Sequence, residues 1–332
     1  MELGPLASIL ALSGGIGGAK LALGLQSVLE PGKLTVIVNT GDDFEHLGLA
    51  ISPDVDTTLY TLSGLANPEL GWGRAEESWT FMGELARLGG EVWFRLGDKD
   101  LAVHIERTRR RAGGEPLGSI VASFAARLGV AARVVPMSDD RVRTVLDTEE
   151  GTLGFQDYFV RRRCIPAVRA IRYEGAEQAR APQEAIRALA EGAFAAVVIC
   201  PSNPYLSVDP ILAVPGWHQA LASSKVPVIA VSPLIAGEAV KGPTAKIMRE
   251  LALEVSPLTI ARHYAPLLDG FVLDEADAPL ARQLDLPVHI APTLMRDLRD
   301  KERLAREVLG FAAMLRRSRR ARATTARRKS GL

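Results

Sequence analysis

Four aspartates lie close together near the start of the chain, two in Asn39-Thr40-Gly41-Asp42-Asp43 and two in Ser52-Pro53-Asp54-Val55-Asp56-Thr57. Carboxylates are hard oxygen donors, and Mg²⁺ typically takes one or two of them together with phosphate oxygens and water. Just upstream runs Leu12-Ser13-Gly14-Gly15-Ile16-Gly17-Gly18-Ala19-Lys20. Glycines there open backbone dihedrals closed to other residues and let a ligand approach the main chain. Set between a strand and a helix N-terminus, such a run forms an anion site of unpaired amides with a favourable dipole. Ser13, Gly14, Gly15, Gly17, Gly18 and Lys20 are therefore expected around a phosphate. One acid of each pair is expected on its metal, and Asp43 with Asp56 is the pair assigned, Asp42 and Asp54 being their neighbours. Asp56 ahead of Thr57–Leu62 also suits a helix N-cap.

Two familiar nucleotide motifs are excluded by the same residues. No Gly-Lys-Ser/Thr follows the glycines, so the run is not a P-loop. A dinucleotide site wants an acid at the tip of the second strand to bond a ribose hydroxyl. Here the strand Leu34–Val38 ends at Asn39, which counts against a nicotinamide-dependent oxidoreductase. Asn39 and Thr40 remain candidates for ligand contact.

Two later loops carry polar residues at strand ends. Pro201-Ser202-Asn203-Pro204 follows the apolar run Ala195–Ile199. Ser232-Pro233 follows Val226–Val231 and leads to Lys241-Gly242-Pro243 and Lys246. Ser202, Asn203 and Ser232 suit substrate hydrogen bonds, and Lys241 and Lys246 suit phosphate, although such residues are also ordinary turn formers. In Gly97-Asp98-Lys99-Asp100, continuing to Arg107, the i, i+4, i+7 spacing puts Asp100, His104 and Arg107 on one helix face. A solvated surface face would show the same pattern. No Ser/His/Asp or Cys/His arrangement is legible.

The elements that must position these groups follow from periodicity. Apolar runs at Ala7–Leu12, Leu34–Val38, Ala132–Val135, Ala167–Ile171, Ala195–Ile199, Val226–Val231, Gly270–Leu273 and Val288–Ile290 read as strands. Helical patterns lie between many of them, at Lys20–Leu29, Pro182–Glu191, Ala245–Glu254, Pro279–Leu284 and Asp297–Gly310. Such alternation predicts an α/β fold, a Rossmann-like parallel sheet with helices on both faces. The stretch 69–128 reads as a helical insertion lobe, and 1–315 as a single α/β domain.

Composition narrows the class further. No apolar stretch is long enough to cross a bilayer, and the N-terminus shows no basic segment ahead of an apolar one. Cys164 and Cys200 form no metal or disulfide pattern, and a cytoplasmic enzyme is expected. The chain carries 40 Lys/Arg and 39 Asp/Glu. Eight of those bases and no acids lie beyond Leu315, so the body holds 32 bases against 39 acids and is near −7. The segment 316–332 is expected to be a disordered basic tail. Neither a nucleic-acid nor a membrane partner is expected, and a homodimer is the default assembly.

In combination, Ser13 to Lys20, Asn39 to Asp43, Pro53 to Thr57, Leu96 to Asp100, Pro136-Met137-Ser138-Asp139-Asp140, Pro201 to Pro204 and Ser232-Pro233 with Lys241-Gly242-Pro243 resemble the 2-phospho-L-lactate transferases of coenzyme F420 biosynthesis. The resemblance spans about residues 7 to 310 and leaves out the basic segment. It implies a Mg²⁺-dependent enzyme that takes a guanosine diphosphate ester of a three-carbon acid and the deazaflavin Fo. The ribityl hydroxyl of Fo would attack the phosphorus bearing the acid, 2-phospholactate or phosphoenolpyruvate, and GMP would leave. One of Asp42, Asp43, Asp54 or Asp56 would accept the hydroxyl proton. Asp98, Asp100, His104, Ser202, Asn203, Ser232, Lys241 and Gly242 would line the substrate site. A superfamily relative that binds a sugar nucleotide as a regulator, without transfer, is the alternative. The Pro201–Pro204 and Lys241–Pro243 motifs favour the transferase.

Overall fold

A computed structural model describes residues 7–240 and 242–329. Lys241, expected near phosphate, lies outside the described residues.

Seven short strands build the central sheet: β1 (Ile9–Ser13), β2 (Leu34–Val38), β3 (Arg133–Pro136), β4 (Ala196–Ile199), β5 (Val228–Val231), β6 (Gly270–Leu273) and β7 (Val288–Ile290). All neighbours pair in parallel, in the order β3-β2-β1-β4-β5-β6-β7. Continuous apolar runs are what a strand covered on both faces requires. Alternation along β1 divides its residues between two cores. Leu10 and Leu12 enter the one containing Trp217 and Phe271. Ile9 and Ala11 enter the other, with Leu21, Leu59 and Phe311.

The second core lies under α1 (Gly15–Val28), α2 (Pro53–Leu62) and the C-terminal helix Leu298–Lys329. Helices Gln183–Glu191, Trp217–Ala222 and Pro257–Tyr264 cover the first. The strand order is that of a doubly wound nucleotide-binding sheet extended by one strand. Connections leave β1 and β4 toward opposite edges, so a crevice opens at the carboxyl ends of these two strands.

Two insertions rise above that crevice. The first holds α3 (Thr80–Arg87) and α4 (Asp98–Ala112). The next helix, α5 (Leu117–Arg127), packs Leu117, Ile120, Val121 and Phe124 into the sheet core. The expected lobe 69–128 is thus divided, and α5 is a crossover helix of the frame. The second insertion is an antiparallel three-stranded sheet, with Arg143–Thr148 between Gly151–Gly154 and Val168–Glu174. The run expected as the central strand Ala167–Ile171 belongs there. Arg169, Arg172 and Glu174 interrupt its apolar residues, giving the in-out alternation of a half-exposed antiparallel strand.

Two further expectations change. The helix expected at Pro279–Leu284 is a 3₁₀ helix, Glu275–Gln283, with Pro279 inside it. The basic segment 316–332, expected as a disordered tail, is helical through Lys329, and 330–332 lie outside the described residues. Arginine and alanine are good helix formers, and the helix is already nucleated upstream, where Leu304, Val308, Phe311 and Leu315 pack under the sheet. Arg319 also reaches back to the body. It donates to the carbonyls of Ser224 (3.2 Å) and Val226 (2.9 Å) and pairs with Asp269 at 2.7 Å.

Candidate active site

Strand β1 ends at Ser13, and α1 begins two residues later. The glycine run is therefore mostly helix rather than loop. Gly14 is extended, with φ −156°, while Gly15 takes φ +63° to open the helix. Gly17 and Gly18 serve packing. A Cβ on Gly17 would sit 2.3 Å from the Pro201 carbonyl oxygen, and one on Gly18 would sit 2.5 Å from Ser13 Oγ. These two glycines let α1 press against the ends of β1 and β4. Open space lies over Gly15 alone of the run's glycines. At the helix start the Ile16 and Gly17 amides have no i−4 carbonyl partner. The Gly15 amide bonds Asp54, and the Gly14 amide donates to Ser202 Oγ at 3.2 Å.

Asn39, where a dinucleotide enzyme would carry an acid, instead organises the acidic loops. Its Oδ1 accepts from the Gly41 amide at 2.8 Å, and its Nδ2 donates to Asp54 Oδ2 at 2.9 Å and to Leu206 O at 3.2 Å. All four aspartates are buried. Asp42 Oδ1 and Asp43 Oδ1 have no hydrogen-bond partner, whereas Asp43 Oδ2 accepts from Ser52 Oγ at 2.7 Å. Burial, reinforced by the charge of Asp54, raises the Asp42 carboxyl well above the ordinary carboxylate range. Burial also lifts Asp43 to about 7, with Arg143 and Ser52 opposing. Asp54 rises to about 6 by the same desolvation, held back by Asn39 and the Gly15 amide.

Asp56 is different, because both its oxygens are taken by the Arg107 guanidinium. The sequence spacing did put Asp100, His104 and Arg107 on one face of α4. That face is turned inward: His104 and Arg107 are buried, with Asp100 3.2 Å from His104 Nε2.

Between the sheet crevice and the two insertions lies a cavity of about 680 Å³. Of the expected residues, Gly14, Gly15, Gly17, Lys20, Asp42, Asp54, Asp56, Asp100, His104, Ser202, Asn203, Ser232 and Gly242 line it. Ser13, Gly18, Asn39, Thr40 and Asp43 are buried behind it. Several lining side chains are spent on their own loops. Asn203 Oδ1 caps the amides of Tyr205 and Leu206, and Ser232 Oγ exchanges hydrogen bonds with Leu234. Lys246, considered for phosphate, is held by Glu250 and the Pro166 carbonyl. Asp98 lies outside the cavity and accepts the Thr80 and Phe81 amides at the start of α3, each at 3.0 Å.

Of the pair expected on the metal, Asp43 lies behind the cavity lining with its Oδ1 unpartnered, and Asp56 lines the cavity while accepting from Arg107. Asp42, with its unpartnered buried oxygen, and Asp54 both line the cavity. Among the described residues, no group of three or more His, Cys, Asp or Glu forms a metal cage. Two carboxylates completed by phosphate and water are enough for Mg²⁺.

Sequence reading missed the aromatic wall. Tyr60 from α2, and Trp72, Trp93, Phe94, Phe155 and Phe159 from the two insertions, line the cavity. Trp93 and Phe94 are adjacent and Phe155 stacks on Phe159 four residues on, but folding alone brings these pairs together with Tyr60 and Trp72. A cavity of this size, with a helix start and acids at its floor and flat apolar walls, suits a nucleotide together with a planar ring.

The family model for 2-phospho-L-lactate transferase CofD matches residues 9–307. A phosphoenolpyruvate transferase of Streptomyces griseus is 39% identical over 317 residues, covering 93% of this chain and 99% of its own. A 2-phospho-L-lactate transferase of Methanopyrus kandleri is 41% identical over 306 residues, covering 90% and 95%. A solved UPF0052-family protein from Bacillus halodurans superposes with a TM-score of 0.61 over 92% of this chain and 99% of that one. Its 14% identity bears on the fold alone.

Proposed function

The chain belongs to the 2-phospho-L-lactate transferase CofD family, and from that premise we propose that it moves a phospho-three-carbon-acid group, 2-phospholactyl or phosphoenolpyruvyl, from a guanosine diphosphate-linked donor to the hydroxyl of Fo. The observation that carries this reading is the shared cavity. It joins the α1 start at Gly15, two cavity-facing aspartates and an aromatic wall. The Gly15 end of α1 and Lys20 hold donor phosphate, and the aromatic side chains take the flat acceptor ring.

The acceptor hydroxyl oxygen bonds to the phosphorus that carries the acid. The bond from that phosphorus to the bridging oxygen breaks, and GMP leaves with that oxygen. Little covalent work falls to the protein, which positions the reactants and neutralises charge. Asp42 and Asp54 would hold Mg²⁺, which when bound offsets charge on the phosphate oxygens. One of the buried carboxylates Asp42, Asp43, Asp54 or Asp56 would take the hydroxyl proton.

The test incubates the protein with Fo, Mg²⁺ and the guanylyl donor carrying either acid, and follows GMP and product by chromatography. GMP release with one of the donors is expected, with a loss of at least 100-fold in Asp42→Asn. No GMP with either donor overturns the reading, and full turnover in a chelator overturns the metal assignment.

A further inference from the structure

The lobe is fastened to α2 by a buried charge pair of which Asp56 faces the cavity and Arg107 does not. Arg107 is fully buried and absent from the cavity lining. Its Nη1 donates to Asp56 Oδ2 at 3.0 Å, and its Nη2 donates to Asp56 Oδ1. Nη1 also donates to the Ala50 carbonyl at 3.2 Å and lies 3.4 Å from His104 Nδ1. One turn along α2, Tyr60 donates its hydroxyl to Asp100. Asp56, Tyr60, Asp100 and His104 all line the cavity, and Asp54 lies two residues before Asp56 on the same helix.

Stability alone is a poor reason for this arrangement. Burying a charge pair costs desolvation that apolar side chains of similar volume avoid. What the fork supplies is direction. A planar guanidinium bonded to both carboxylate oxygens fixes position and rotation together, which a lysine ammonium does not. Its third bond, to Ala50, ties the same point to the Leu49–Ile51 strand beneath α4.

We propose that Arg107 is a positioning residue for the transfer: through Asp56 it sets α2, and with it Asp54 and the acidic wall of the cavity. This rests on the functional reading above. A misplacement of about 1 Å at a reacting centre costs on the order of 100-fold in rate.

The test compares wild type with Arg107→Lys in GMP release, with KM for Fo, calorimetric donor affinity and thermal unfolding measured on the same preparations. Arg107→Lys should lower kcat per folded enzyme about 100-fold, with KM and donor affinity within about threefold. A purely structural role would cost folded protein and leave kcat per folded enzyme intact. Wild-type kcat in folded Arg107→Lys therefore overturns the proposal. Should the lysine variant not fold, the double variant Arg107→Gln with Asp56→Asn removes both buried charges and leaves neutral hydrogen-bonding groups in their place. A kcat loss of the same order in it supports the role, and wild-type kcat overturns it. Wild-type protein that releases no GMP overturns the functional reading, and the role of Arg107 falls with it.

Discussion

Gly15 and Gly17 stand two residues apart and are glycine for different reasons. At Gly15 the backbone is left-handed, at φ +63°, with open space where a side chain would go. At Gly17 the dihedral is ordinary helix, but the Pro201 carbonyl occupies the place of a Cβ. Substitution should separate the two roles. Gly15→Ala carries a left-handed penalty of roughly 1–2 kcal/mol and places a methyl over the phosphate floor. It should unfold at slightly lower temperature and bind the guanylyl donor at least tenfold more weakly. Gly17→Ala forces α1 away from the β4 loop, an overpacking cost of about 1–3 kcal/mol, and should act on stability first. Thermal unfolding and calorimetry on both variants check this. Equal donor affinity in Gly15→Ala and wild type would reduce that position to a structural turn.

Asp98 shows how a residue that resembles a binding group can belong to an element instead. It stands at the first position of α4, yet its carboxylate accepts from Ser78 Oγ and the first amides of α3. Those bonds, Ser78 first and then Phe81, pull its pKa down to about 2. Because the folded value lies below the ordinary one near 3.9, the support it gives α3 is present above pH 4 and lost as pH falls toward 2. Protection of the Thr80 and Phe81 amides from hydrogen exchange should follow that course. Asp98→Ala should abolish the protection at pH 7 while sparing GMP release. A fall in turnover without a change in exchange would return Asp98 to the binding site. The same distinction explains what the sequence made legible. Strands with continuous apolar runs were read within a residue or two, because burial on both faces leaves no polar position. Val168–Glu174 was assigned to the wrong sheet, since strand propensity does not name a partner. The pairing of Asp56 with Arg107 was not legible, because the two lie 51 residues apart. The aromatic wall as a whole left no local signal.

At the scale of the whole molecule, an acidic body carries a helix whose last turns are basic. The charge balance alone implies long-range attraction, but salt at cellular strength screens exposed charges beyond about 8 Å. What ties this end to the body is short-ranged. Arg319 bonds the Ser224 and Val226 carbonyls and pairs with Asp269, one residue before β6. The contact sits at the amino ends of β5 and β6, whereas the cavity opens at the carboxyl ends of the sheet. A chain ending at Leu315 should therefore keep its turnover at physiological salt and lose stability. A partly exposed ion pair contributes up to about 1 kcal/mol, and each hydrogen bond about 0.5–1.5 kcal/mol. With about 2–4 °C in Tm per kcal/mol for a domain of this order of size, a drop of several degrees is expected. Arg319→Ala in the full chain should reproduce part of that drop, since these contacts belong to its side chain. Should truncation instead cut turnover tenfold with Tm unchanged, the basic turns must act at the cavity or on a neighbouring copy. The amino-end anchoring described here would then be beside the point.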